Sequence, residues 1–176
     1  IRFSIMDEEN KETVVLGMIS RGHSKFDRIS QEAKIEPKEL ELILQKLESS
    51  GLIKVEEKKG WLGTKIDIKP TEDGYREFEH QLKILQDKWN NLENTYKSGN
   101  KQELEKKLKE DKSFLPSMMM FGIIDIMMFS MMFSMIGASM GSFIPAEDMQ
   151  GMDDGSEDMD GSDMGDDGGY DIDIGF

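Results

Sequence analysis

A mostly α-helical protein with one small β-hairpin is what this sequence predicts. Apolar residues recur at helical spacing in three segments before residue 50 and again, over a longer stretch, after residue 74. Between them Ile66-Asp67-Ile68 alternates as a half-buried strand does. The third observation is a block of methionines: thirteen of the chain's fifteen follow residue 117, nine of them between Met118 and Met140.

The first helix is expected over residues 8–21, with Val14, Leu16, Met18 and Ile19 on its apolar face and Gly22 as its stop. Ser24 is placed to cap a short second helix ending at Ala33, with Phe26, Ile29 and Ala33 turned inward. Pro37 suits the first turn of a third helix, because the N–H it lacks has no intrahelical partner there. Leu40, Ile43, Leu44 and Leu47 form the stripe of that helix, which runs to about Ser49 and closes at Gly51. Two strands, 52–56 and 62–69, lie on either side of Lys58-Lys59-Gly60. Pro70-Thr71-Glu72-Asp73 opens a fourth helix, with Thr71 as its N-cap.

Three helices, a hairpin and a further helix follow the order of a winged helix-turn-helix. Leu47-Glu48-Ser49-Ser50-Gly51-Leu52-Ile53, supported by Pro70-Thr71-Glu72-Asp73-Gly74-Tyr75, carries the likeness. Over residues 8–97 the chain resembles MarR/PadR-type regulator domains. That resemblance implies a DNA-binding dimer in which the third helix enters the major groove and the wing touches phosphates. The nucleic-acid contacts it implies are Lys38, Gln45 and Lys46 on helix three, Lys58 and Lys59 on the wing, and Arg28 on helix two. The residues themselves pull the other way. Outside its stripe, helix three shows two basic residues, Lys38 and Lys46, against Glu39, Glu41 and Glu48, with Leu42 where a base-reading polar group is expected. Affinity for DNA rests largely on phosphate neutralisation. Lys54, Lys58, Lys59, Lys65 and Lys69 make the wing more basic, against Glu56, Glu57 and Asp67. A winged helix that docks on protein or RNA is the alternative.

From Tyr75 the apolar residues Phe78, Leu82, Leu85, Trp89, Leu92 and Tyr96 follow at alternating steps of three and four, an a/d seam of three heptads. In the regulators that the chain resembles, the helix after the wing builds a dimer, so a homodimer through this seam is expected; packing on the chain's own domain is the alternative. Ser98-Gly99-Asn100 breaks the helix, and a lysine-rich helical turn or two follows.

Met118 to Gly137 contains no leucine, no valine and one charge, Asp125. Methionine is unbranched and polarizable, so a surface made of it adapts to many apolar shapes. Three readings follow: a membrane span, a self-packing helix with a small-residue stripe at Ser130, Ser134, Gly137 and Gly141, or a surface for hydrophobic protein segments. Insertion is marginal, since seven Ile and Phe residues contribute roughly −2 to −4 kcal/mol while Asp125 costs about +2.5 to +3.5. The partner-binding residues expected are Met127, Met128, Phe129, Met131, Met132, Phe133 and Met135.

The net charge of −14 is local: from Ala146 onward there are twelve acids and no base. Such a tail is expected to be disordered and to keep the methionines soluble. Its ending, Tyr170-Asp171-Ile172-Asp173-Ile174-Gly175-Phe176, alternates as a docking strand would. Ile1-Arg2-Phe3-Ser4-Ile5-Met6 lacks the apolar stretch of a signal peptide, and the absence of cysteine fits a cytoplasmic protein, with membrane association left to the methionine block. Two histidines, no cysteine and no nucleophile or phosphate-loop motif argue against an enzyme, and no cofactor, metal or small-molecule substrate is implied.

The chain thus divides into a winged helix domain (1–70), a dimerisation helix (71–97), a basic linker helix (98–113), a Met-rich hydrophobic segment (114–145) and an acidic tail (146–176). The function expected is a non-enzymatic, transcription-regulator-type DNA-binding dimer whose Met-rich segment binds a hydrophobic partner or a membrane. The alternative is a chaperone-like or targeting factor for exposed hydrophobic segments.

Overall fold

A computed structural model describes residues 8–144 and 146. Among them are seven α-helices and one two-stranded antiparallel sheet, in the order α1 (Glu8–Ser20), α2 (Phe26–Ala33), α3 (Pro37–Ser49), β1 (Ile53–Gly60), β2 (Gly63–Pro70), α4 (Glu72–Lys97), α5 (Lys101–Glu110), α6 (Leu115–Met120) and α7 (Ile126–Ile136). The first six elements are compatible with the winged-helix order. The acidic tail and its Tyr170–Phe176 ending lie outside the described residues.

Helix α1 is the hub. From Thr13 to Ile19 every residue is buried, so this stretch has no solvent face. It packs against α2, α3, β2, α4 and α6. A Cβ on Gly17 would sit 2.4 Å from the Phe121 ring and 2.6 Å from that of Phe78. Glycine therefore lets α4 and the end of α6 close on α1 together. The two rings meet edge to face at 5.1 Å. Arg21, just past α1, lies 4.9 Å from the Phe121 centroid and donates from Nη2 to the Phe121 carbonyl at 3.3 Å.

Helix α3 begins at Pro37 and buries Leu40, Ile43, Leu44 and Leu47, as its spacing predicts. Helix α2 starts one residue later than expected: Lys25 is its N-cap, without a side-chain cap bond. Ser24 has another job, its carbonyl accepting the Ile68 N–H at 3.1 Å and so tying the hairpin to α2. Thr71 caps α4 by accepting the Gly74 N–H at 3.0 Å, and its hydroxyl donates to the Gly51 carbonyl at 2.6 Å. A Cβ on Gly74 would lie 2.0 Å from the Leu52 carbonyl oxygen, so the backbone of Leu52 requires glycine there.

The hairpin differs from expectation. Its turn is Trp61-Leu62, closed by Gly60 opposite Gly63, and Lys58 and Lys59 belong to β1 instead of the turn. The reason is burial. Beyond Val55 and Ile68 the strands leave the core, so only their backbone ladder, which the sequence does not display, keeps them extended.

The heptad seam is filled within one chain. Phe78, Leu85, Trp89 and Leu92 are buried, Leu82 and Tyr96 half-buried, and Tyr75 exposed. Helix α4 packs against α1, α5 and α6, and Trp89 meets Phe129 of α7 edge to face at 6.0 Å. Within the Met-rich segment, Leu115–Met120 and Ile126–Ile136 are two short helices where one hydrophobic helix was expected. Asp125, the block's one charge, caps α7 by accepting the Met128 N–H at 3.0 Å, and Gly137 ends it at φ 68°. The expected small-residue stripe ends at Ser134, because the helix stops before Gly137 and Gly141. No helix of the described residues is long and apolar enough to cross a membrane; eleven residues of α7 span roughly 16 Å. Phe129, Met132, Phe133 and Ile136 form its inward face, and buried apolar residues from Val14 to Ile144 make one cluster.

Replacing Gly17 with Val should lower stability by about 2 kcal/mol, because Phe78 and Phe121 must both move. Urea unfolding of the variant checks this; an unchanged midpoint would mean that the α1–α4–α6 junction is loosely packed.

Candidate nucleic-acid interface and exposed apolar surface

Directly opposed residues of a hairpin point to the same face. On one face, Ile53, Val55 and Ile68 turn to the core, followed outward by Glu57 with Ile66 and Lys59 with Thr64. The other face carries three charged rows: Lys54 with Lys69, Glu56 with Asp67, and Lys58 with Lys65. Acids in the middle row bind cations on either side. Lys69 lies 3.2 Å from Glu56 and 3.7 Å from Asp67; Lys58 is 3.4 Å and Lys25, just before α2, 3.9 Å from Asp67. Burial alone would push the Asp67 carboxyl up, but hydrogen bonds from Lys58 and Ser24 and the charges of Lys58 and Lys25 hold it below the ordinary range. The hydrogen bond from Lys69 to Glu56 likewise raises the Lys69 ammonium above its usual value.

The outer face of α3 is a different surface. Lys46 is hydrogen-bonded to Glu12 and lies 4.0 Å from Glu8, and this pairing raises its ammonium. Lys11 of α1 reaches Glu39 at 2.5 Å. Between α1 and α3 these residues, with Leu42 and Ile43, line a shallow groove of about 320 Å³. Three acids and two lysines line it, and Leu42 stands 66% exposed. Glu48 accepts the Val55 N–H at 3.3 Å, and so links α3 to the hairpin.

The expected nucleic-acid residues therefore do not share one surface. Lys38 and Gln45 are exposed on α3, and Lys46 is held by Glu12. Lys58 is on the charged hairpin face, Lys59 on the opposite one, and Arg28 on α2 is paired with Glu32 at 3.3 Å. The expected partner-binding residues divide as well. Phe129, Met132 and Phe133 are core, Met128 and Met135 half-buried, while Met127 (75%) and Met131 (41%) are exposed. Ile126 and Met120 are exposed too.

Trp61 has no place in the expectations drawn from the sequence, and Leu62 is expected there to open the second strand. They form the turn and are 96% and 82% exposed. The signal was present: two large apolar residues held between Gly60 and Gly63 with no strand partner.

Asp67 gathers three lysines, so its titration gives a test. Its folded value lies below the ordinary 3.8, which means that its stabilisation is present above that pH and is lost as pH falls through the folded value. Urea midpoints of the parent chain and Asp67→Asn should differ at about pH 6 and converge as the pH falls below the folded value of Asp67. A gap that acid leaves unchanged would show that the Asp67 charge does not anchor the hairpin.

Compared with known protein families, with curated proteins and with solved structures, the chain matches none, and its function is read from its own side chains.

Proposed function

We propose that this chain is a non-enzymatic DNA-binding protein of winged-helix build, of the transcription-regulator type, which holds DNA phosphates with its wing. One observation carries the reading: Lys54, Lys58, Lys65 and Lys69 share one face of a hairpin that projects from the core, and Lys25 stands at its base. Among the described residues, Lys54, Lys59 and Lys65 have no acidic partner, so their charge is available to phosphate oxygens. Helix α3 contributes less than it does in the regulators that the chain resembles, because Lys46 is already paired and Glu41 and Glu48 face outward. Binding led by phosphate contacts is salt-sensitive and reads little sequence. Since the chain's own helices bury Leu85, Trp89 and Leu92, this reading needs no second copy at α4.

Anisotropy of a labelled DNA duplex, titrated with the full chain across a salt series, tests it. The full chain is needed because removing residues beyond 112 would bare Trp89 and the α1 surface around Gly17. Each phosphate contact contributes about −0.9 to the log–log slope, so Lys54→Glu with Lys65→Glu should flatten the slope by about 2 and weaken low-salt binding at least tenfold. Unchanged affinity and slope in a folded double variant would remove the wing from the reading.

The exposed methionines favour a second reading, capture of apolar protein segments by α7. Met127 and Met131 stand one turn apart on its outer side. Changing these two to Ser leaves the core intact and should abolish binding of a fluorescent amphipathic peptide. Capture that survives the change sinks this reading.

A further inference from the structure

Trp61 and Leu62 are the most outlying apolar side chains of the hairpin, and the core makes no use of them. The rows next to them hold Lys58 with Lys65 on one face and Lys59 with Thr64 on the other. The nearest acids, Glu57 and then Glu56 with Asp67, come only farther from the turn. An indole at a free tip, with cations on both faces behind it, is complementary to a flat apolar surface set among negative charges. A nucleic-acid base that has left its stack offers this, with a π-face for the indole and flanking phosphates for the lysines. A closed duplex offers only the phosphates. Its base faces are covered, and opening a step costs unstacking that further backbone contacts must offset. Helix α3 is poorly equipped to supply them, with Glu41 and Glu48 outward and Lys46 held by Glu12.

We infer that Trp61 is a base-stacking residue and that the hairpin tip takes DNA with unpaired bases, as a single strand or a duplex–single-strand junction, in preference to closed duplex. This rests on the nucleic-acid reading above and adds the class of DNA to it.

The chain supplies its own probe. Of its two tryptophans, Trp61 is almost fully exposed and Trp89 is 2% exposed, so a ligand at the tip changes the emission of Trp61 alone. The full chain is titrated with a single strand, a forked duplex and a closed duplex of one sequence, reading DNA anisotropy and tryptophan emission in parallel. The single strand and the fork should bind about tenfold tighter than the closed duplex and quench Trp61, as expected for one stacked base. Trp61→Ala should remove that tenfold preference and leave closed-duplex binding unchanged, and Trp61→Phe should keep most of it. Retained Trp89 emission shows that both variants are folded.

Equal affinity for all three DNAs with Trp61 unquenched overturns the inference and leaves the nucleic-acid reading standing. No binding to any of them at low salt removes both. A blue shift of Trp61 on vesicles of phosphatidylcholine with phosphatidylserine, without quenching by DNA, would make the tip a membrane contact and overturn the inference.

Discussion

The helices that follow the hairpin are organised around a side chain that is missing. Gly17, in the middle of the buried stretch of α1, leaves room for Phe78 of α4 and Phe121 at the end of α6 to meet across it. Arg21 secures the same point, placing its guanidinium against both rings and one N–H on the Phe121 carbonyl. From there α4 runs outward, α5 folds back on it, and α7 brings Phe129 to Trp89. The aromatic contacts continue through Phe133 to Phe143, so the methionine-rich segment is part of the core that the first helices begin.

This placement changes what the methionines mean. On the inner side of α7 and in α6, Met118 and Met132 are fully buried in the core cluster, a packing use that suits a flexible thioether. On the outer side, Met127 and Met131 remain in contact with solvent. A single helix thus carries both the structural and the adaptable use of one residue type. Asp125, a liability in a membrane span, starts this helix by capping it.

The charge pattern divides the first half of the molecule in a similar way. Around α3, Lys11 and Lys46 are held by Glu8, Glu12 and Glu39, and Lys38 stands exposed. On the hairpin, two acids in a middle row pair with Lys58 and Lys69 and leave Lys54 and Lys65 of the same face unpaired among the described residues, and the rows nearest the turn hold Lys58, Lys65 and Lys59 with no acid. Positive charge without an acid beside it therefore stands next to the turn, which carries an exposed indole. The proposals place nucleic acid at the hairpin for this reason; α3 assists by its position.

Local chemistry in the sequence determined the helices and several of their ends. Pro37 and Thr71 start α3 and α4 where they were expected, because a first-turn proline and a capping hydroxyl act within a few residues of themselves. The heptad spacing of α4 likewise specified which face is apolar. What covers that face was not legible, because a stripe has the same spacing whether a second chain or the same chain packs on it, and here α5, α6 and α7 return to fill it. The division of the methionines was hidden too, since a run of similar residues gives no period until Gly122 and Gly137 turn the backbone. The length and turn of the hairpin depended on a backbone ladder reaching beyond the core, where no buried side chain marks its course. Sequence fixes what is decided between near neighbours; the burial of the seam, the two faces of α7 and the exposed Trp61 come from contacts between residues far apart in the chain, and only the folded structure brings those together.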